Sequence, residues 1–465
     1  MAISCVSFHC GVKYIGMDDW LFLLETVHRS WEKLGRPKRV MAAVSGGADS
    51  VLLLRVLHSL SKSENFALFA AHVDHGLRDT SSLDAQFVLR LCDELCVPCK
   101  AYRVSLSGKS EDEARSARYE ALLSACAQAD ADALALAHHL QDQAETVLLH
   151  LFRGSGAAGL SGMREKAERE MPNHFPVVLW RPLLSVSPDR IHSALKAKAF
   201  SWREDETNAG DIYLRNFIRH QVLPKVQERI PRAVEAIARA AAALSDEEDY
   251  LQREAAAFLS KKENASLSGP CRYLSQRAFS QLHPAVLRYA LRLSAPVSLS
   301  FQDTEGLMAL HPGEKMNLPL GWRAMRAKGY LHYLPPPGEK EEYPPLGKLL
   351  ILPYQGDPGD GKLCQAMAKE VFDQCVLRYG EKGDQIYPLG APGKKSMQDY
   401  WVDKKVDQPF RRYMPLLCIG QRVVWAIGVG PGEEARIPKD GPAVMLRYEG
   451  DLPFFLKNDP KNTEE

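Results

Sequence analysis

The sequence predicts an α/β protein with an N-terminal parallel-sheet domain, a helical middle domain and a small, mixed, β-rich C-terminal domain. Three observations carry this prediction. Short apolar runs alternate with helical patterns over about 200 residues, the signature of parallel strands joined by crossover helices. After Pro224 the pattern turns Ala-rich and helical. Beyond a proline cluster at PPPGEKEEYPPLGK, short runs punctuated by Gly and Pro read as strands.

Taken in order, residues 18–34 set Trp20, Leu21, Leu24, Val27 and Trp31 at helical spacing. VMAAVS (40–45) reads as a buried strand and DSVLLLRVLHSLSK as the helix after it. ALFAAHVDHG is a second strand and SSLDAQFVLRLCDELC a second helix. AYRVSL, a helix through ARSARYEALLSACAQA, the strand ADALALAHH and the helix QDQAETVLLHLF complete the alternation. Helices are expected on both faces of the sheet, with ligands beyond the carboxyl ends of the strands. The stretches SGGADS, HVDHG and AHHLQDQ all fall there. In the middle domain, residues 226–259 place Ile230, Val234 and Ile237 on one stripe, HPAVLRYALRLS is a further helix, and MNLPLGWRAMRAKGYLHYL reads as short hairpin strands. GDQIYPLG, RRYMPLLCIG and RVVWAIGVG are the expected C-terminal strands.

The boundaries predicted are an N-terminal extension and helix (1–37), a catalytic domain (38–224), a helical middle domain (225–334), an exposed linker (335–348), a C-terminal domain (349–456) and a tail (457–465). Residues 1–16 read as a loose extension without a secretory signal. With 59 basic and 58 acidic residues, the net charge of +1 does not advertise nucleic-acid binding, although a local basic face can hide in a balanced total. No apolar run is long enough to span a membrane, and ten scattered cysteines read as reduced thiols. A cytoplasmic protein with no membrane association is expected.

RVMAAVSGGADSVLLL (39–54) raises the functional question, because two adjacent glycines interrupt two stretches that want burial. A Gly-Gly turn between a strand and a helix aims backbone N–H groups into one concavity at the positive end of that helix, which suits an anion. Ser45 and Ser50 add hydroxyls, and Asp49 is placed to hold magnesium or steer a polar group. The bland alternative is a tight turn with a capping serine or aspartate. Neither G-x-x-x-x-G-K nor G-x-G-x-x-G fits the stretch.

Further along, Asp142 and Glu145 stand three apart at a helix start, so both carboxylates share a face. They read as magnesium or ammonium ligands, or as solvated first-turn acids favouring the helix dipole. Arg115 and Arg118, with Tyr119 beside them, and Arg215 and Arg219, one turn apart, suit phosphate recognition, or alternatively exposed faces paired with nearby acids. His138 either orients substrate or is a structural histidine at a strand end.

SGGADS after a first strand resembles the PP-loop of the ATP pyrophosphatases (adenine nucleotide alpha hydrolase-like), which cleave ATP between the α- and β-phosphates. The ordered motifs SGGADS, HVDHGLR, EARSARY, AHHLQDQAETVLLHLFRGSG, GLSGM, WRPLL and ETN…LRNFIRH…LP, with RYGEKGDQIYPLG and GKKSMQDYWVDKKVDQPFRRYMPLL near the C-terminus, resemble tRNA(Ile)-lysidine synthetases over most of residues 38–435. Leu136 and Gln141 depart from the family pattern, so only one of two adjacent acids is present.

The resemblance implies an ATP- and Mg2+-dependent ligase that joins L-lysine to the wobble cytidine of tRNA(Ile) with the CAU anticodon, through an adenylated cytidine, and it allows a homodimer. By the same resemblance, Asp49, Asp142, Glu145, Arg115 and Arg215 are catalytic, with the three acids as magnesium ligands. Ser45, Gly46, Gly47, Ala48, Asp49, Ser50, His72, His75 and His138 bind ATP. Arg78, Arg118, Tyr119, Arg153, Asn216 and Arg219 contact substrate or tRNA. Lys394, Lys395, Lys404, Lys405, Arg411 and Arg412 form a tRNA-binding patch, although interleaved aspartates also fit a merely solvated surface.

Three rivals remain open at this point. A PP-loop tRNA 2-thiolation enzyme is invited by Cys92, Cys96 and Cys99, although these read better as packed small residues. An amidotransferase synthetase would need a glutaminase domain before the loop. An inactive nucleotide- or RNA-binding module would have no need of Asp49, Asp142 and Glu145.

Overall fold

The computed structural model describes residues 18–74, 81–104, 111–170, 176–204, 214–261, 263–267, 272–327, 329–336, 343–437, 441–450 and 452. The expected N-terminal extension and C-terminal tail lie outside them. The chain divides into two compact units, residues 1–248 and 249–465.

The first unit begins with α1 (Asp19–Lys33), then β1 (Arg39–Ala43), α2 (Ala48–Glu64), β2 (Ala67–Asp74), α3 (Ser81–Glu94), β3 (Cys99–Arg103) and α4 (Glu111–Ala129). It continues through β4 (Ala133–Ala135), α5 (Leu140–Phe152), α6 (Ala157–Leu160), β5 (Lys166–Glu170), β6 (Pro176–Trp180) and α7 (Pro188–Ala197). The strands lie in the order β3-β2-β1-β4-β6-β5. All neighbours are parallel except β5, which pairs antiparallel with β6. That edge hairpin departs from the expected all-parallel sheet.

Alternation along β1 explains why the sheet is covered twice. Val40 and Ala42 pack with α1, α2 and α7, through Trp31, Val51, Leu54 and Ile191. Met41 packs on the opposite face against Leu122, Leu123 and Cys126 of α4. Strands buried on both faces need apolar residues at every position, which is why VMAA carries no polar residue. Trp180 is fully buried, and its indole N–H donates to Ser30 Oγ at 2.7 Å.

The first unit ends with α8 (Leu214–Phe217), a π-turn (Ile218–Val222), α9 (Leu223–Arg229) and the start of α10 (Ala233–Leu259). The Leu223 amide donates to Ile218 O, five residues back. Pro224 has no N–H to continue the ordinary helical ladder at that point. Ile230 does not join the expected stripe: it ends α9 at 57% exposure, while Val234 is buried.

In the second unit, β7 (Ala265–Ser266), β8 (Arg272–Ser275), α11 (Arg277–Gln281), α12 (Pro284–Ser294), α13 (Phe301–Ala309), β9 (Lys315–Asn317), β10 (Arg323–Arg326) and β11 (Tyr330–Leu334) form a helical layer on a sheet ordered β7-β8-β11-β10-β9. Next come β12 (Lys348–Pro353), β13 (Cys364–Ala368), α14 (Lys369–Phe372), β14 (Val376–Tyr379), β15 (Gln385–Ile386), β16 (Lys395–Ser396) and α15 (Met397–Asp403). β17 (Pro415–Ile419), β18 (Arg422–Ala426), β19 (Gly430–Pro431) and β20 (Ala443–Glu449) follow. These strands build the sheets β12-β20-β13 and β14-β17-β18-β15-β16, with β19 on β18. The C-terminal half of the expected linker is not a free chain. Tyr343 packs on Tyr379 and Tyr413, and Pro344 O accepts a 2.8 Å hydrogen bond from Tyr379.

Candidate active site

The carboxyl ends of β1 and β4 are adjacent, with Ala42 opposite Ala135, so the segments that leave them emerge side by side. β1 pairs with β2 on its other edge, and strand order therefore reverses here, which is where an open α/β sheet leaves a crevice. The first segment is the Ser-Gly-Gly turn. Gly46 has φ +97, and its carbonyl accepts from the Arg203 amide at 3.0 Å. A side chain at that φ is strained, so glycine is required there. Gly47 is the N-cap of α2 without a side-chain cap, leaving the first-turn amides to the crevice.

Ser50, buried within the first turn of α2, organises this loop. Its hydroxyl donates to Gly47 O at 2.9 Å and accepts from the amides of Ser45 and Gly46, both at 3.2 Å. The Ser50 hydroxyl is thus occupied within the loop, whereas Ser45 is exposed. Ala48 is buried and serves packing.

The second segment starts α5. His139 is its N-cap: His139 Nδ1 accepts from the Asp142 amide at 3.4 Å, and Asp142 Oδ2 accepts from the His139 amide at 3.0 Å. With Nδ1 accepting, Nε2 is the ring nitrogen that carries a hydrogen. That atom is 3.7 Å from Asp49 Oδ2. His139 therefore stands between the loop aspartate and the first acid of α5. His139, not the His138 expected from the sequence, meets the acids, and its position three residues before Asp142 carries the spacing of a capping box.

Asp142 and Glu145 do share a face, and the structure brings Arg215 and Arg219 onto both. Glu145, fully buried, accepts from Arg215 Nε at 2.9 Å, Arg219 Nε at 2.6 Å and Arg219 Nη2 at 2.8 Å. Asp142 Oδ1 accepts from Arg219 Nη2 at 2.9 Å and Arg215 Nη2 at 3.2 Å. The π-turn carries Arg219 into this arrangement, while Ala144, Ile218, Leu223 and Val234 pack beneath it. Two carboxylates and two guanidinium groups make a formally neutral quartet.

Burial pushes the Asp49 carboxyl up, opposed by His139 and reinforced by Asp142. Burial acts the same way on Asp142, but His139 and Arg215 outweigh it and hold that carboxyl below its ordinary value. His138 is pushed down to about 3 by burial, with Arg181, Arg215 and Arg118 adding repulsion. It is a neutral ring at physiological pH, and its Nδ1 has no hydrogen-bond partner among the described residues.

The remaining predicted residues divide. His72 is buried and its Nδ1 lies 2.9 Å from Val44 O, so it braces the strand end just before the loop. His75 and Arg78 lie outside the described residues. Tyr119 is a correction: α4 turns its ring into the core with Met41, Ala71 and Leu134 of the sheet, with Arg169, Arg115 and Arg118 at 4.8, 5.7 and 6.0 Å from the centroid, so it is closed to a substrate. Arg118 lies within the electrostatic reach of Asp142, Arg115 and Arg215. Asn216 sits on α8 between the two site arginines' turns, and Arg153 caps the C-terminus of α5 on the surface.

Gln143, like His139, is a site residue that the sequence motifs do not single out. It is buried, its amide nitrogen donates to Met163 O at 3.0 Å, and its oxygen accepts from the Met163 amide at 2.7 Å. It thereby clamps the Gly159–Met163 turn to the helix carrying the acids. The cysteines behave as packing residues in part: Cys92 is buried in the core, and the half-buried Cys99 packs against the same cluster. Cys96 is a correction, since it is exposed at φ +54 in the turn that ends α3.

In the C-terminal patch, Lys394, Lys404 and Lys405 are exposed. Lys395 pairs with Asp403, Arg411 donates to Val406 O at 3.0 Å, and the Arg412 guanidinium lies 4.8 Å from the Tyr413 ring centroid. The surface charge is therefore concentrated on three lysines.

The donor set corrects the expected magnesium triad. Among the described residues no three His, Cys, Asp or Glu side chains converge as a metal cage. Glu145 is fully buried and saturated by guanidinium groups, so it does not fit a cation ligand in this arrangement. Asp49 does fit: its Oδ1 is buried without a hydrogen-bond partner, beside the loop that would hold phosphates. Magnesium commonly takes one or two carboxylates with substrate phosphates supplying other ligands.

Residues 23–226 match the PP-loop domain family, and residues 375–448 match the TilS substrate C-terminal domain family. The chain is 31% identical to a tRNA(Ile)-lysidine synthase of Geobacter sulfurreducens, over 89% of this chain and 93% of that one. It is 30% identical to one from Dehalococcoides mccartyi, over 87% and 94%, and 28% identical to one from Caldanaerobacter subterraneus, over 91% and 97%.

Proposed function

The chain belongs to the tRNA(Ile)-lysidine synthase family, and from that premise we propose that it joins free L-lysine to carbon 2 of the wobble cytidine of tRNA(Ile) with the CAU anticodon, at the expense of ATP. The observation that carries this reading is the pairing of two devices in one crevice. An amide-lined loop after β1 faces a carboxylate and guanidinium cluster after β4. The first suits phosphates and the second suits both phosphates and an ammonium group.

The carbonyl oxygen at carbon 2 is a poor leaving group. It attacks the α-phosphorus of ATP, the α–β phosphoanhydride bond breaks, and pyrophosphate leaves with the electron pair. The amides of the Ser45–Ser50 loop hold the pyrophosphate portion, at the positive end of α2. Arg118, Arg215 and Arg219 neutralise the charge that builds on the α-phosphate. Magnesium, held by Asp49 and the phosphates, would supply further neutralisation of that charge. The lysine Nζ, as the free amine, then attacks carbon 2, the carbon–oxygen bond breaks, and AMP leaves with the oxygen. Asp142 and Glu145 attract the lysine side chain in its ammonium form, and Asp142 is the less buried of the two for receiving its proton.

The wobble base reaches this crevice only when unstacked. Lys394, Lys404 and Lys405 contribute phosphate contacts that hold the rest of the tRNA. No described helix is long and apolar enough to cross a membrane, and a cytoplasmic enzyme acting on tRNA follows from the reading.

The test combines protein, ATP, magnesium, labelled lysine and a CAU-anticodon tRNA(Ile) transcript. Nucleoside mass spectrometry should find lysine on the wobble cytidine and none on elongator tRNA(Met). Label on the tRNA 3′ end, or no transfer at all, refutes the proposal.

A further inference from the structure

The quartet at the start of α5 poses a problem for any cationic substrate, because its acids are already occupied. Asp142 and Glu145 together accept five hydrogen bonds from Arg215 and Arg219. Glu145 is fully buried, so water cannot replace a departing partner there. A carboxylate stripped of its partner in such a place is strongly disfavoured. An ammonium group can therefore enter only as a guanidinium leaves, and the guanidinium leaves only if something anionic receives it.

We propose that Arg215 is an exchangeable placeholder in a cation subsite between Asp142 and Glu145, drawn away by nucleotide phosphate and replaced there by the lysine ε-ammonium, so that nucleotide binding switches on lysine binding. This rests on the function proposed above and adds an order to it. The two arginines are not equivalent. Arg219 supplies three of the five bonds and covers both carboxylates. Arg215 supplies one bond to each carboxylate, at 2.9 and 3.2 Å. Removing Arg215 leaves Glu145 with both bonds from Arg219 and Asp142 with one, and opens a vacancy of one positive charge.

A primary ammonium carries that charge and three donors, and it restores neutrality. The force that moves Arg215 is also present. Arg118 lies within electrostatic reach of Arg215, and the two repel each other. A phosphate placed between them relieves that repulsion and matches the guanidinium fork. Phosphate binding and ammonium binding thus favour the same displaced position of Arg215. Thermodynamic linkage then requires each ligand to strengthen the other equally.

The experiment uses the full-length protein without tRNA and measures L-lysine binding by calorimetry, alone and with saturating α,β-methylene ATP. Lysine should bind at least tenfold more tightly to the nucleotide-loaded protein, about 1.4 kcal/mol of coupling, with the same factor for the nucleotide when lysine is present. L-norleucine, which lacks the ε-ammonium, should show no coupling. Arg215→Gln should bind lysine without nucleotide as tightly as the loaded wild type and lose the coupling. Arg215→Lys, which places its own ammonium in the subsite, should weaken lysine in both states.

Equal lysine affinity with and without nucleotide, or no lysine binding to the loaded protein, overturns the exchange. Coupling that persists in Arg215→Gln also overturns it. The wild-type comparison decides even if the variants do not fold. Lysidine formation by a protein that shows no coupling would remove the exchange and leave the proposed function standing, whereas absence of lysidine removes the function itself.

Discussion

Ser50→Ala deletes one oxygen atom and separates two ways in which the loop could use that residue. In the structure the hydroxyl is buried and makes its hydrogen bonds within the loop, to the Ser45 and Gly46 amides at 3.2 Å and the Gly47 carbonyl at 2.9 Å. A net worth of about 0.5–1.5 kcal/mol per bond gives roughly 1.5–4.5 kcal/mol for the set. The two amide contacts are long and Ser45 is exposed, so water recovers part of the loss, and about 2 kcal/mol is expected. The penalty should fall on the protein without nucleotide, because the bonds exist there. Urea unfolding, with amide exchange followed on peptides covering β1 and α2, reads it directly. Affinity for α,β-methylene ATP should fall by about tenfold, since about 1.4 kcal/mol of amide alignment is lost. Unchanged stability and exchange in the nucleotide-free variant, with ATP affinity reduced, would mean that Ser50 contacts phosphate directly and that the organising role is wrong.

Three further outcomes follow from the same structure. Gly162→Ala should be destabilising by about 3 kcal/mol: Gly162 has φ +65 and the new Cβ would lie 2.8 Å from the buried amide of Gln143. Gly154→Ala, at φ +74 with open space around it, should cost only the backbone share, about 1–2 kcal/mol, and equal melting temperatures for the two variants would contradict this account. In the second unit, burial would raise the Asp384 carboxyl, but bonds from Arg378 at 2.8 Å and the Glu381 amide hold it below its ordinary value. A carboxyl lowered by folding contributes stability above its unfolded pKa, and this is lost as pH falls through the folded one. The unit should therefore weaken below about pH 4, and Asp384→Asn should be about 3 kcal/mol less stable at neutral pH and lack that acid-dependent loss. Lys404→Glu with Lys405→Glu should weaken tRNA binding and reduce the slope of log affinity against log salt by about 1–2, and an unchanged slope would remove these lysines from the tRNA interface.

Local pattern made much of the architecture legible. Strand and helix alternation from Arg39 to Phe152 could be read directly because buried parallel strands are uniformly apolar while their helices keep a 3.6-residue period. The edge hairpin at β5 and β6 was hidden because its pairing is set by a neighbour and not by its own periodicity. Ile230 looked like part of a stripe, but the break between α9 and α10 rotates it to the surface. Tyr119 looked like a substrate contact beside two arginines, yet its helix turns it into the core.

The sequence by itself determined the kind of chemistry on offer: a glycine turn after the first strand suits an anion at its amides, and paired acids and paired arginines at helical spacing suit charge handling. Only the tertiary structure decided who faces whom. Asp142 and Glu145 are about 70 residues from Arg215 and Arg219, and no short-range rule joins them. A π-turn before Pro224 and the burial of Ile218 against α5 bring the four together. The physical reason is that spacing along the chain sets which side chains share a face, while the partner opposite that face is chosen by packing between distant segments. That packing turned four separately plausible ligands into one neutral cluster.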